Sequence, residues 1–385
     1  MERRKDNKGK VLKEGESQRK DGLYQYRWTD RAGKRHTVYA GSLKELRDKK
    51  ENIAELNKRN IDLAATSITV MELAKRYSDV HKLSLKTTST KNIDTFISML
   101  EDEPFSNKSI ASVTTSDAKL FMKGLYESGY CYGTLSNFKG FLRPAFELAC
   151  DDRLIARNPF GFTLAKIIPK EEKSKTTLSE DQYNNLIEFC KSYKHFYQYV
   201  DELIILYETG LRVSEFCGLT LNDVDFRNNT ISVTHQLVYL KGKRFIQSPK
   251  TKKGIRIVPL SAKAKAAFEH LIKMRPPLTT EPVIDGYSGF FQVTSRHNPR
   301  IAPDIALSIK RIIREYNKTY LQDPLPSSIT PHTFRHTFCT RMIESGMNIK
   351  AVQYMMGHSK VNVTLDIYSH IDEQYVANEF NKMVQ

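Results

Sequence analysis

Between Lys166 and Thr177 the chain carries a run rich in Lys, Glu and Ser, with Asn158-Pro159 before it and Ser179-Glu180-Asp181-Gln182 after it. Such a run has too few apolar side chains to lie inside a core, and the residue before a proline leaves helical geometry. At 385 residues the chain is also long for one core, so this break divides it. Ser179 and Gln182 then open a new helix, each side chain answering an orphan backbone N–H in a capping box. The expected fold is multidomain, mainly α with small β-sheets. A β-rich unit spans 1–65, a helical unit 66–160, a linker 161–177 and a mixed α/β unit 178–385.

The first unit opens with Leu23-Tyr24-Gln25-Tyr26-Arg27-Trp28-Thr29, a strand-like alternation that puts Tyr24, Tyr26 and Trp28 on one face. Asp30-Arg31-Ala32-Gly33-Lys34 supplies a turn and His36–Ala40 the returning strand. Ser42 caps a helix through Leu43, Leu46, Ile53 and Leu56. In the second unit Thr69-Val70-Met71-Glu72 is a further capping box, with apolar residues at helical spacing (Val70, Leu73, Ala74, Tyr77) and more helices near 88–101, 116–128 and 134–150. Past the linker, helices are interrupted by strand-like runs at Thr230–His235, Leu237–Tyr239, Phe245–Ser248 and Ile255–Leu260. Lys250-Thr251-Lys252-Lys253-Gly254 reads as a basic hairpin turn between two of them, and the chain from Ala262 onward as mostly helical.

Charge narrows the partner. The net charge is +16, and residues 1–60 hold half of it, with 18 Lys and Arg against 10 Asp and Glu. Cations in such excess favour a polyanion, because neutralising phosphates releases condensed counterions. Arg27 lies opposite the aromatic face of the first hairpin, and Arg31, Lys34 and Arg35 sit at its turn. With Arg19 and Lys20, these are the candidate DNA contacts of the first unit, since a twisted basic ribbon can enter a major groove. Lys252 and Lys253 are candidates in the third unit. No apolar run approaches the roughly 18 residues of a membrane span, no basic amphipathic helix shows an exposed aromatic face, and the N-terminus has no signal-like apolar region. Five scattered cysteines (Cys131, Cys150, Cys190, Cys217, Cys339) without a C-x-x-C pair fit neither a disulfide framework nor a zinc ribbon, and suit a reducing cytosol. There is no Walker loop and no carboxylate cluster for two-metal chemistry, so neither cofactor nor metal is expected.

Four strings in the last unit hold residues suited to phosphate chemistry: Thr209-Gly210-Leu211-Arg212-Val213-Ser214-Glu215, Pro331-His332-Thr333-Phe334-Arg335-His336, Met356-Gly357-His358-Ser359 and Thr364-Leu365-Asp366-Ile367-Tyr368-Ser369-His370. Guanidinium forks neutralise non-bridging phosphate oxygens with bidentate geometry, and spacing of three puts His332 and Arg335 on one helix face. His332 and His336 also have H-x-x-x-H spacing, but Thr333 stands where a metalloprotease carries Glu.

Taken in order, Arg, turn lysine, His-x-x-Arg, Gly-His and Tyr, these motifs resemble the tyrosine recombinase (phage integrase) family across the whole last unit. The helical segment before it is similar to the family's core-binding domain. The basic N-terminal unit is similar to the arm-binding domains of integrases from phages and conjugative transposons. The resemblance implies that Tyr368 is the nucleophile, that Arg212 and Arg335 clamp the scissile phosphate, and that His332 and His358 support it. Glu215 would orient these groups from behind. A turn lysine would protonate the departing 5′-oxygen: Lys250, which follows Pro249, with Lys252 as the alternative. A free phenol has a pKa of ~10 and needs such a field to attack.

The activity implied is site-specific recombination through a 3′-phosphotyrosyl intermediate, integrating and excising a mobile element. Its partners would be double-stranded DNA at the element ends and target site, three further copies of the chain in a homotetramer, and an accessory excisionase. Val376, Phe380 and Met383 would form a terminal helix docked on a neighbour or on its own domain. The location implied is the bacterial cytoplasm, at the nucleoid when active. A type IB topoisomerase and a non-catalytic DNA-binding regulator of the same fold are the alternatives.

Overall fold

A computed structural model describes residues 4–29, 35–58, 68–82, 87–170, 176–249, 251–294 and 296–365. The chain separates into two units, Met1–Glu172 and Lys173–Gln385.

The first unit begins with a three-stranded antiparallel sheet, β1 (Glu16–Gln18), β2 (Tyr24–Thr29) and β3 (Arg35–Ala40), in the order β1-β2-β3. Its register sets Tyr24 opposite Ala40, Arg27 opposite Thr37 and Thr29 opposite Arg35. Because side chains alternate along a strand, this pairing collects Tyr24, Tyr26, Trp28, His36 and Val38 on one face and Gln25, Arg27, Thr29, Arg35, Thr37 and Tyr39 on the other. The aromatic face is built as a stack, with Trp28 5.6 Å from Tyr26 and 5.3 Å from His36 between ring centroids. Helix α1 (Leu43–Lys58) follows, its first turn held by the Ser42 hydroxyl, which accepts from the Glu45 N–H at 3.2 Å. Tyr24, Ala40, Leu43 and Leu46 form a small core between sheet and helix.

Among the described residues that follow, four α-helices form: α2 (Val70–Lys82), α3 (Thr87–Glu101), α4 (Thr115–Glu127) and α5 (Tyr132–Asp151). The capping box at Thr69 is present in both directions, with Thr69 N donating to Glu72 Oε2 at 2.9 Å and Glu72 N donating to Thr69 Oγ1 at 3.1 Å. Leu73, Leu100, Phe138 and Phe146 close the core, together with Phe160, Leu164 and Ile168 from the segment after α5. Each such side chain contributes roughly 1.5–3 kcal/mol on burial, which is why chain past Pro159 packs here.

In the second unit, Ser179 and Gln182 cap α6 (Glu180–Ser192) reciprocally at 3.1 Å. The one-turn α7 (Lys194–Tyr197) leads into α8 (Val200–Thr209), which packs against α10 (Ala262–Met274) and α12 (Pro331–Glu344). Among the described residues, α9 (Val213–Gly218), α11 (Ala302–Thr319), α13 (Ile349–Met356) and α14 (Val361–Leu365) are the other α-helices of this unit. The strands divide between two sheets. β4 (Val224–Asp225), β5 (Thr230–Val233) and β8 (Arg256–Pro259) form one, while β6 (Gln236–Leu240) and β7 (Lys243–Gln247) form a separate hairpin. The hairpin turns on Lys241 and Gly242, both at positive φ (50° and 79°), the twist that suits a two-residue turn.

This division corrects one expectation. Lys250–Gly254 is not a hairpin turn, because the strands on either side of it, β7 and β8, lie in different sheets. Among its described residues the connection contains one 3-10 turn, Lys252–Gly254. Pro249 has no N–H to continue a ladder, so β7 ends before it. Between α10 and α11 the described residues of 275–301 form no helix, as Pro276, Pro277, Pro282 and Pro299 dictate. Among the described residues no helix is long and apolar enough to cross a membrane.

Candidate active site

Helix α8 ends at Gly210, in the left-handed region with φ 61°, where an added Cβ would run into the Phe338 ring. The chain then turns so that Arg212 sits at the N-cap of α9, with Glu215 one turn further on. Glu215 Oε2 accepts from the Arg212 backbone N–H at 2.9 Å, and its Oε1 accepts from Arg212 Nη1 at 2.7 Å. Arg212 Nη2 donates to the Gly357 carbonyl at 3.2 Å. The guanidinium is thereby held on two sides, while its side chain stays 32% exposed at the cleft wall.

Thr330 and Pro331 start α12, the Thr330 N–H donating to Thr333 Oγ1 at 3.0 Å. One turn separates His332 from Arg335, yet their surroundings differ. Arg335 is buried, donating through Nη1 to the Gly210 carbonyl at 2.6 Å and through Nη2 to that of Met356. His332 opens outward, and no described residue is bonded to its ring nitrogens. At the end of α13, Gly357 takes a left-handed φ of 59°. His358 follows, buried, with Nδ1 sharing a hydrogen bond of 3.0 Å with Thr364 Oγ1. The Gln353 amide donates to its carbonyl at 3.0 Å. Imidazole and turn are fixed together.

These segments enclose a cleft of about 450 Å³ whose walls include Arg212, Glu215, His332 and His358, and also Ser214, Gln236, Pro249 and Thr251. Arg335 lies behind the wall. Lys250 and Tyr368 fall outside the described residues, as do Arg31, Lys34, Val376, Phe380 and Met383; the chain on both sides of Lys250 borders the cleft. Lys252 and Lys253 are exposed, and Lys253 Nζ donates to the Ser359 carbonyl at 3.2 Å.

Two groups of the site escaped the sequence reading. Arg256, 3% exposed, grips Glu215 with two hydrogen bonds of 3.1 and 2.8 Å. The signal was available: in Arg256-Ile257-Val258-Pro259 strand alternation puts Arg256 on the same face as Val258, and a cation there demands a buried partner. Gln236 is the other, its Oε1 accepting from Ser214 Oγ at 2.9 Å at the cleft wall; no local pattern marks it.

The electrostatics follow from this crowding. Burial alone would raise the Glu215 carboxyl, but the Arg256 hydrogen bonds and the charges of Arg256, Arg212 and Arg335 outweigh it and hold it at about 2. Burial, then the neighbouring Arg212, brings the Arg335 guanidinium down to about 9, so it remains charged at neutral pH. Burial followed by the charges of Arg335 and Arg212 lowers His332 below the ordinary imidazole range and His358 to about 3. The cleft therefore offers permanent guanidinium charge beside neutral imidazoles, a setting that accepts an anion and can also take up a proton.

In the first unit, Arg19, Lys20, Arg27 and Arg35 are all exposed. Arg19 pairs with Asp21 at 3.2 Å and lies over the Tyr39 ring at 5.4 Å, so the polar face of the sheet carries cations that are accessible from solvent.

Residues 176–375 match the phage integrase family, and residues 1–65 match the DNA binding domain of Tn916 integrase. The chain is 38% identical to the transposase from transposon Tn1545 of Streptococcus pneumoniae, with 96% of this chain and 94% of the relative covered. Identity and coverage are the same for the transposase from transposon Tn916 of Enterococcus faecalis. The structure of the Tn1549 transposon integrase in complex with transposon right end DNA superposes with a TM-score of 0.78 at 35% identity, over 83% of this chain and 100% of that one. The same integrase with a circular intermediate DNA gives a TM-score of 0.77 at 34% identity, covering 82% and 100%.

Proposed function

The chain belongs to the phage integrase family of tyrosine recombinases, and from that premise we propose that it integrates and excises a conjugative transposon with Tyr368 as its nucleophile. The observation that carries the residue roles is the convergence of Arg212, His332 and His358 on one cleft with Arg335 behind it, although the three contributing segments are far apart in the chain.

The chemistry runs from the groups at hand. Arg212 binds the non-bridging oxygens of the scissile phosphate, and the charge of Arg335 stabilises the added negative charge of the transition state. Tyr368 Oη attacks phosphorus while the neutral His332 imidazole takes the phenolic proton. The P–O5′ bond breaks, and Lys250, or Lys252 in its place, gives a proton to the departing oxygen. His358, locked by Thr364, steadies the phosphate from the opposite turn. The product is a 3′-phosphotyrosyl bond and a free 5′-hydroxyl. That bond keeps the energy of the phosphodiester, so the 5′-hydroxyl of a partner duplex can attack it and rejoin the strands.

Residues 1–65 would grip arm sites through the polar face of the sheet, residues 66–160 would clasp the core site, and residues 178–385 would perform the cleavage. Exchange between two duplexes needs four nucleophiles, hence a homotetramer on DNA, and an accessory excisionase would bias the direction. The enzyme would work in the bacterial cytoplasm on the element ends and on the circular form, the kinds of DNA bound in the Tn1549 integrase structures.

A nicked suicide duplex carrying the element's end tests the reading. The wild type should yield a protein–DNA adduct that resists denaturant, and Tyr368→Phe none. An adduct that persists in Tyr368→Phe moves the nucleophile elsewhere; binding without any adduct in the wild type makes the chain a regulator.

A further inference from the structure

Arg256 ties together three segments that meet at the cleft. Its Nη1 and Nη2 reach the two oxygens of Glu215 on α9 at 3.1 and 2.8 Å. Nη1 also donates to the Gly254 carbonyl at 3.0 Å, at the end of the turn that contains Lys252 and Lys253. Nε donates to the Met355 carbonyl at 2.6 Å, in the last turn of α13 before Gly357 and His358. All three nitrogens of the guanidinium are therefore used, and none faces the cleft. A lysine in its place, with one nitrogen and three N–H bonds on a flexible stem, could not hold three segments at fixed mutual distances.

The surrounding contacts allow little slack. A Cβ on Gly357 would stand 3.1 Å from Arg256 Nη1 and 3.2 Å from the Lys253 carbonyl, so the lysine turn lies directly against the Gly-His turn. Gly254 is pressed against Pro249 on the other side of the same crossing, where a Cβ would collide with the proline ring. Lys253 Nζ adds a bond to the Ser359 carbonyl at 3.2 Å. The phosphate clamp joins this framework through Glu215, whose Oε1 receives both Arg256 Nη1 and Arg212 Nη1.

We propose that Arg256 is a positioning residue for strand cleavage: it fixes the lysine turn against the Gly357–His358 turn and, through Glu215, aims Arg212, so that proton donor and phosphate clamp keep one geometry. The proposal rests on the lysine's role as acid to the departing 5′-oxygen. A substrate with sulfur at the 5′-bridging position separates the two ideas. There the P–S bond breaks and the thiolate leaves without needing a proton, so a fault in placing the acid is relieved while other faults are not.

The test measures single-turnover trapping at saturating suicide DNA with oxygen or sulfur at that position, for the wild-type chain and for Arg256→Lys. DNA affinity and thermal midpoint are followed alongside. We expect Arg256→Lys to bind DNA within about threefold of wild type, to trap the oxygen substrate about 100-fold more slowly, and to come within about tenfold of wild type on sulfur. Oxygen-substrate trapping within about threefold of wild type would overturn the proposal, and so would an equal loss on both substrates. Lys250→Ala and Lys252→Ala run in parallel. If sulfur rescues neither, the lysine acid of the proposed function falls; if it rescues one of them but not Arg256→Lys, the role of Arg256 alone falls. Should Arg256→Lys not fold, Gly357→Ala takes its place, since it wedges a methyl between Arg256 and the Lys253 carbonyl, and the same sulfur rescue is required of it.

Discussion

Two parts of this chain hold their arginines in opposite ways. At the cleft, Arg335 and Arg256 are 3% exposed and bound to backbone carbonyls and to Glu215. On the N-terminal sheet, Arg27 and Arg35 stand exposed, and Arg19 meets Asp21 and the Tyr39 ring at the surface. Removing a guanidinium from water costs several kcal/mol unless hydrogen bonds and counter-charge offset it, so a buried arginine must be held by its surroundings in one place. An exposed one avoids that cost, keeps its rotamers, and acts through a screened field. The first arrangement suits a reaction that fails on displacement of an ångström, the second a grip on DNA whose strength depends on salt. Counting basic residues cannot tell these uses apart. Their burial and partners can.

The largest effect is expected at Arg335. Arg335→Lys keeps the charge but cannot reach the Gly210 and Met356 carbonyls together, and it should slow adduct formation on the order of 10³-fold at saturating DNA. A loss below tenfold would show that fixed geometry there is dispensable. The next largest effect is expected at Glu215. Glu215→Ala leaves Arg256 and Arg212 without their shared carboxylate and should lower unfolding stability by about 3–5 kcal/mol, read from the denaturant midpoint. A change under about 1 kcal/mol would mean that the carbonyls alone hold Arg256.

Acid sharpens the contrast between the regions. His332 and His358 have folded-state pKa values depressed from 6.5, so unfolding releases them to bind protons. Their contribution is fully present above about pH 6.5 and is lost as pH falls below it, for His358 down to about pH 3. In the N-terminal sheet, burial would raise Asp6 and Glu16, but hydrogen bonds from Tyr24 to Asp6 and from the Lys13 backbone and Arg47 to Glu16 outweigh it and leave both lowered from 3.8 and 4.5. Their contribution is lost only below about pH 4.5. Hydrogen exchange at pH 7 and pH 5 should therefore show the 330–365 region losing protection beyond the intrinsic rate change while β1–β3 keeps its own. Equal loss in both regions would contradict the assignment.

The smallest effect belongs to the sheet. Arg27→Ala with Arg35→Ala should weaken arm-site binding by about tenfold and reduce the slope of log K against log salt by about 1 for each phosphate contact removed. Adduct formation at saturating DNA should stay within about twofold of wild type. Loss of cleavage in that variant would put the exposed arginines of the sheet in the chemistry.

Much of the site could be read from the chain because its signals are local. Thr69 with Glu72 and Ser179 with Gln182 mark helix starts within one turn, and the alternation through Tyr24, Tyr26 and Trp28 assigns the faces of β2. The order Arg212, His332, Arg335, His358 needed only the motifs. Local pattern also explains the one misreading. Lys250–Gly254 lies between two strand-like runs and looks like a hairpin, but which strands pair depends on partners elsewhere: β7 has β6 and β8 has β5.

The sequence by itself determined where helices begin, which strand faces are polar, and the identity of the family. Those properties depend on neighbours within a few residues and on motifs in fixed order. Tertiary structure alone decided that Arg256 would meet Glu215 and Met355 across 41 and 99 residues of chain, that Gly357 packs tightly against Arg256 and the Lys253 carbonyl, and that burial and arginine charge lower the pKa of the two cleft imidazoles. Desolvation and charge–charge interactions are set by whatever packs within a few ångströms, and no local pattern of residues reports which segment that will be.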